Sequence, residues 1–368
     1  MSEYQFFDFQ TIDRPLTEEE QAEIHKLSSR VALTPTQAVF TYQFGDFHGS
    51  PEKVLEQYFD AMLYLANWGT RRLMFRFPKS LIDLSQVQSY EVEDVIEFQE
   101  TAEHVILDIR FDEEGVMFWV EGEGRLSSLV RLRDDILRQD YRVLYLAWLK
   151  AISLNTLNGS EREPPVPPGL RSLSSALRNF VDLFEIDKHL LAVAAKVSGE
   201  QSKVSEPDLR QAIAHLSREE CDDYLLRLAR GEPHLSIALN ARLRQAEPSA
   251  YSSASTRRMV KQLLTDAELA REAEKRRQAQ EAEEKRIQKL DALARREGEA
   301  WQEVERLAQK SSAKTYEQAV QLLSQLREVA SRQKQEDIFQ ERLNGIYGCY
   351  QTRHSLLEKL RAAGLRST

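Results

Sequence analysis

The sequence predicts an α+β N-terminal domain, with helices on a mainly antiparallel sheet, followed by an all-α region built around a long charged helix or coiled coil. Three observations lead there. The first 150 or so residues mix helical and two-residue apolar periods. A stretch with four prolines, "NGSEREPPVPPG" from Asn158 to Gly169, then excludes helix and reads as a semi-rigid linker. Beyond it every apolar pattern is helical, and from Thr256 to Gln309 there is no proline and a single glycine, Gly298. The expected divisions are an acidic α/β domain at 1–155, the linker at 156–169, a helical domain at 170–250, a long charged helix at 251–311 and a helical hairpin at 312–368.

Within the head, "LTEEEQAEIHKLSSR" places Thr17 and Glu20 at capping-box spacing, so a helix starts there. "GSPEKVLEQYFDAMLYLANWG" reads as a longer helix. Ser50 caps it, Pro51 occupies the first turn, Val54, Tyr58, Met62 and Leu65 recur at helical spacing, and Gly69 ends it. After Gly69 the period changes to two: Leu73, Phe75 and Phe77 share one face, and Arg72, Met74 and Arg76 the other. "HVILDIRFDEEGVMFWVEGEG" reads as a hairpin, with Val105, Leu107, Ile109 and Phe111 before its turn and Val116, Phe118 and Val120 after it. A helix over about 126–154, broken near Asp140, closes the domain, which suggests helices on one face of the sheet.

The helical half has a second capping box, Ser217 with Glu220. Its long segment would span roughly 80 Å as one helix of about 54 residues. Glu272–Arg276, Glu281–Lys285 and Asp291–Arg295 stand four apart with the acid first, which suits a solvated helix. Ile287, Leu290, Ala294, Trp301, Val304 and Ala308 keep a seven-residue beat, the mark of a coiled-coil seam and a route to a homo-oligomer. Ala319, Val320, Leu322, Leu323, Leu326 and Val329 form the apolar stripe of the final hairpin's first arm.

The chain of 368 residues has a net charge of −9, distributed as −12 over 1–150, −2 over 151–250 and +5 over 251–368. So acidic a head is a poor binder of nucleic acid, while the basic tail can approach a polyanion. No segment reads as a signal peptide or transmembrane helix, and two cysteines, Cys221 and Cys349, offer no disulfide framework, so the expected location is cytoplasmic.

No catalytic, cofactor or metal motif emerges, and none of these roles is assigned to a residue. Ligand or partner contacts are expected at a few places. Trp68, Arg71, Arg72 and Arg76 in "YLANWGTRRLMFRFP" could surround an anion or a stacked base, although a helix end followed by a polar strand face explains them as well. Asp46 and His48 sit two apart in a loop before a helix start, where a metal-dependent hydrolase could be built. His104 and Asp108 share a strand face, and the acidic run Glu91 to Glu100 could attract a cation but lacks the spacing of a calcium loop. Arg353, Lys359 and Arg361 make the tail a basic amphipathic end. Cys221 stands beside Asp222 and Asp223, which do not activate a thiol.

"MSEYQFFDFQTIDRPLTEEE", the block containing "NWGTRRLM", and "PPVPPGL" resemble a family of uncharacterised bacterial proteins with an MSEYQ-type start and an IDRPLT turn. "YEQAVQLLSQLREVA" and "RHSLLEKLRAAGL" are loosely similar to the C-terminal region of bacterial SWIM zinc-finger proteins, without their CxC and CxH zinc motif. The resemblance implies no activity and no site residues. The sequence therefore points to a non-enzymatic scaffold or adaptor that binds protein partners through its head and helical tail. The alternative is a nucleic-acid accessory protein using the tail and Arg71, Arg72 and Arg76. A hydrolase near Asp46 and His48 comes third.

Overall fold

The computed structural model describes residues 4–113, 122–200, 206–244, 257–310 and 312–367. The chain divides into two compact units, Met1–Arg271 and Glu272–Thr368.

Seven strands form one sheet in the first unit: β1 (Gln5–Gln10), β2 (Ala32–Thr34), β3 (Gln37–Tyr42), β4 (Ala61–Ala66), β5 (Thr70–Pro78), β6 (Ile96–Glu100) and β7 (His104–Asp112). Their order is β2-β3-β1-β4-β5-β7-β6, and every pairing is antiparallel. Alternation along each strand sorts the side chains onto two buried faces. Phe7, Phe9, Phe40, Met62, Met74 and Ile106 meet α1 (Glu18–Leu27) and α2 (Pro51–Tyr58) through Ile24, Val54 and Leu55. Leu63, Leu65, Leu73, Phe75 and Phe77 face the opposite way, into a larger core. That core is closed by α3 (Leu84–Val87), α4 (Arg131–Leu137), α5 (Arg142–Ser153), α6 (Ser175–Leu183) and α7 (Lys188–Val197). Helices thus cover both faces of the sheet, where the order of elements suggested one.

Both capping boxes form: Glu20 N donates to Thr17 Oγ1 at 3.2 Å and Thr17 N to Glu20 Oε2 at 2.8 Å, and Ser217 and Glu220 exchange the same pair. The long head helix does not. Ser50 caps α2 and Pro51 starts it, but Phe59 turns extended (φ −126, ψ 166) and the chain enters β4. Met62 and Leu65 lie on that strand. Five of the six β4 residues are buried, because the strand runs through the middle of a sheet covered on both sides. An apolar run there carries no two-residue signal and imitates a helix. Gly69, at φ +113, belongs to the β4–β5 turn and not to a helix end.

β7 pairs with β5 and β6, and the second arm of the expected hairpin (Val116, Phe118, Val120) lies outside the described residues. The expected helix break near Asp140 is present between α4 and α5, with Gln139 at φ 63. The proline-rich segment is packed against the core: Glu163 is 2% exposed, and Tyr90 Oη donates to Pro165 O at 2.8 Å. Three further helices follow, α8 (Glu206–Ala214), α9 (Arg218–Ala229) and α10 (Leu235–Arg244).

α11 (Val260–Arg295) is the long charged helix, but it stops at Arg296 (φ −118, ψ 30) and α12 (Glu297–Gln309) begins after it. In the second unit α13 (Ala313–Gln333), α14 (Glu336–Cys349) and α15 (His354–Ala362) complete the fold, one helix more than a hairpin. The heptad residues Leu290, Trp301, Val304 and Ala308 pack on Leu323, Leu326, Phe339, Leu343 and Leu360 of the same chain. No helix among the described residues is long and apolar enough to cross a membrane.

Candidate functional site

The arginines of the β4–β5 hairpin are parted by the pleat. Arg71 points into the larger core, 2% exposed, and donates to Glu185 at 3.0 Å and Glu113 at 3.4 Å. Lys150 Nζ stands 2.8 Å from the same Glu113 oxygen. Arg72 and Arg76 point the other way. Arg72 donates from Nε and Nη2 to Asp108, at 2.9 and 2.6 Å, and from Nη1 to Glu52 at 2.6 Å. Burial opposes its charge, but those two carboxylates outweigh the burial and hold the guanidinium above its ordinary value. Arg76 donates to Asp60 at 2.8 Å and to Glu56 O at 2.6 Å. Trp68, at the turn, is 41% exposed. The expected cradle of three arginines around one anion does not assemble, since the strand period places Arg71 on the opposite face from the other two.

Asp46 is exposed and accepts from Gln5 Nε2 at 2.9 Å; Tyr64 Oη donates to Gln5 Oε1 at 3.0 Å. Burial pushes the Tyr64 phenol up to about 12, with the charges of Asp46 and Asp112 adding to it and Arg110 opposing. His48 is exposed in the same loop. Burial, then the charge of Arg76, lowers the pKa of His104. Among the described residues no group of three or more His, Cys, Asp or Glu side chains could hold a metal ion. Cys349 is exposed and Cys221 half-buried, both as free thiols. In the tail, Arg353 donates to Tyr316 Oη at 3.1 Å, Lys359 to Glu317 at 2.6 Å, and Arg361 is exposed.

A concave site does form where β5, β7 and β6 run side by side. A hollow of about 480 Å³ is lined by Arg72, Asp94, Glu97, Asp108, Arg110 and Asp112. Register explains its character. Arg72 lies directly opposite Arg110, and Glu97 directly opposite Asp108, so two adjacent ladders each set like charges face to face. Such pairs are unfavourable unless offset. Asp108 offsets Arg72, and Asp112 accepts from Arg110 Nε at 2.8 Å and Thr70 Oγ1 at 2.6 Å. Asp94 and Glu97 have no cationic partner among the described residues; Glu97 accepts only from the Asp94 backbone, at 3.0 Å. With four carboxylates against two guanidiniums, the lining has an excess charge of −2.

Arg72 and Asp108 were singled out from the sequence. Arg110 and Asp112 were not, although they continue the same outward parity as Asp108, and period two along β7 would have found them. Asp94 and Glu97 belong to the acidic run Glu91 to Glu100, noted as able to attract a cation, which forms a turn and a strand. The polar groups that line the hollow are carboxylates and guanidiniums, which suit the binding of a charged group.

Comparison with protein-family models, with curated proteins and with solved structures matches nothing to this chain.

Proposed function

We propose that this chain is a non-enzymatic adaptor whose α/β head holds a basic segment of a partner protein in the hollow on β5, β7 and β6. The observation that supports it is the unbalanced lining: Asp94 and Glu97 stand beside arginines already bound to Asp108 and Asp112. A lysine or arginine of a partner would supply the missing cations, and charge complementarity of this kind governs encounter and partner choice. β6 lies at the end of the sheet order among the described residues, an edge where an extended segment can add backbone hydrogen bonds. A cytoplasmic location is part of this reading, supported by two free cysteines. A nucleic-acid role would rest on the tail, because Arg71, Arg72 and Arg76 are engaged by carboxylates of their own chain.

The test is affinity purification of the whole chain from its host's lysate, with and without nuclease, for the native sequence and for Glu97→Lys. A protein partner that survives nuclease and falls about tenfold or more with Glu97→Lys supports the adaptor. Equal recovery with the variant overturns the hollow as its site, and loss of every partner with nuclease transfers the assignment to nucleic acid.

A further inference from the structure

α9 bears a dense run of exposed apolar side chains: Leu225, Leu226 and Leu228 are 61%, 56% and 63% exposed. Leu225 and Leu228 stand three apart and so share a side of the helix. Asp222, three before Leu225 and four before Leu226, borders that side. The helix holds Glu219, Glu220, Asp222 and Asp223 against Arg218 and Arg227, and Arg242 of α10 pairs with Glu220 at 2.8 Å, which leaves an acid excess of one. One ion pair of the helix, Arg218 with Asp222 at 3.0 Å, joins side chains 86% and 49% exposed and is readily exchanged for another partner.

The second unit has the complementary surface. A groove of about 410 Å³ runs between α11 and α13, with Ala282, Leu290 and Leu293 as its apolar part. Lys285, Arg286 and Lys289 form its rim, opposite Glu328. Arg286 is bonded to Glu283 and Glu328, whereas Lys285 and Lys289 have no carboxylate partner among the described residues. The rim therefore has a basic excess of two, opposite in sign to the acid excess on α9. A groove of this size, apolar at its base with charges at the edge, matches ordinary binding sites in volume.

We infer that α9 of one copy docks in the α11–α13 groove of a second copy, so that the protein assembles head to tail. The leucine face with its acidic border and the apolar groove with its basic rim are two different surfaces of the same chain. Burying one against the other removes apolar surface from water and gives Lys285 and Lys289 their carboxylates. The interface is heterologous: the surfaces differ, each copy keeps one of each unused, and growth continues into a ring or a filament. This is separate from the hollow on the sheet and stands or falls without it.

Sedimentation velocity over a concentration series tests it, using the whole chain as native sequence, as Leu225→Lys/Leu228→Lys and as Lys285→Glu/Lys289→Glu. All four positions are at the surface, and circular dichroism checks that each variant keeps its fold. The native chain is expected to form dimers and larger species that weaken as salt rises, because the charges involved are exposed. Each variant alone is expected to lose association at least tenfold. Mixed, the two variants restore a 1:1 dimer and nothing larger, since one contributes an intact groove and the other an intact α9. A native chain that stays monomeric up to its solubility limit overturns the inference. So do variants that assemble like the native chain, or a mixture that forms no dimer.

Discussion

Arg133 holds Asp13, 120 residues away, with both arms of its guanidinium, at 2.8 and 2.7 Å, from a position with no solvent exposure. Its Nε donates to Arg76 O at 2.7 Å, and Asp60 accepts from Ile12 N at 2.6 Å, Asp13 N at 2.9 Å and Arg76 Nη2 at 2.8 Å. Burial works to raise the Asp60 pKa, but the backbone donors and the Arg133 charge outweigh it and the carboxyl titrates below its ordinary range. Two carboxylates and two guanidiniums thus join the end of β1, β5 and α4. Arg133→Met should destabilise the first unit by about 3–5 kcal/mol, the usual cost of orphaning a buried partner. Arg133→Lys should recover less than half, since an ammonium cannot span both Asp13 oxygens. Urea unfolding of the three proteins measures this, and a loss below about 1 kcal/mol for Arg133→Met would contradict it.

Asp8 is the opposite case, a carboxylate with no cationic partner among the described residues. It is fully buried on β1 and accepts from Gln37 Nε2 at 2.9 Å and Gln10 Nε2 at 3.3 Å. Burial pushes its carboxyl up from 3.8 to about 6, against the pull of the two amides. The folded chain then binds this proton more tightly than the unfolded one. Its contribution is present in full below the unfolded pKa and is lost as pH rises through about 4 to 6. A shift of roughly two units corresponds to about 3 kcal/mol. Asp8→Asn cannot titrate, so the stability of the native chain relative to this variant should fall by about 2–3 kcal/mol between pH 4 and 7. A difference that stays flat across that window would sink the assignment.

How much of this was visible in the sequence depends on exposure. Leu73, Phe75 and Phe77 were read correctly as one face of a strand because Arg72 and Arg76 broke the apolar run between them. β4 has no such break, as both its faces are covered, and so its period was lost. The capping boxes at Thr17 and Ser217 were legible because they are local hydrogen bonds between residues three apart. The hollow was not, because it depends on register: only the pairing of Glu97 with Asp108 and of Arg72 with Arg110 brings its charges together. Likewise the heptad beat of α11 and α12 states that an apolar seam exists but cannot state that α13, α14 and α15 of the same chain fill it.

Gly69 allows a test of the β4–β5 turn. Its φ of +113 is a conformation that side chains strongly disfavour, and a Cβ placed there would lie 2.1 Å from Glu113 O. Glu113 cannot retreat freely, since its backbone N donates to Gly69 O at 3.2 Å and its side chain stands between Arg71 and Lys150. Gly69→Ala should cost about 2–4 kcal/mol, the sum of backbone strain and a forced shift of the partner strand. Trp68→Ala, one residue earlier at an exposed position, should cost less than about 1 kcal/mol. Parallel urea titrations separate the two, and equal losses would show that the turn is not held by the glycine.

Glu163 ties the proline-rich segment to the start of α11 within the first unit. It is 2% exposed and accepts from Arg258 Nε at 2.8 Å and Nη2 at 2.7 Å, and from Tyr145 Oη. Burial, reinforced by the Glu163 charge, drives the Tyr145 phenol far above its ordinary pKa, so it remains a donor at any physiological pH. The backbone continues the contact: Glu163 N donates to Arg258 O at 2.9 Å, Val260 N to Glu161 O at 2.9 Å and Lys261 N to Gly159 O at 3.1 Å. Glu163→Ala leaves Arg258 and Tyr145 without their acceptor. It should destabilise the unit by about 3–5 kcal/mol, as for any buried pair with one partner removed. Because the loss is concentrated where the proline-rich segment meets the start of α11, a second readout follows. Hydrogen exchange at Val260 and Lys261 should accelerate beyond the change at Leu63 and Leu107 in the middle of the sheet. Uniform acceleration at all four amides would mean that Glu163 supports the fold as a whole and does not pin this segment.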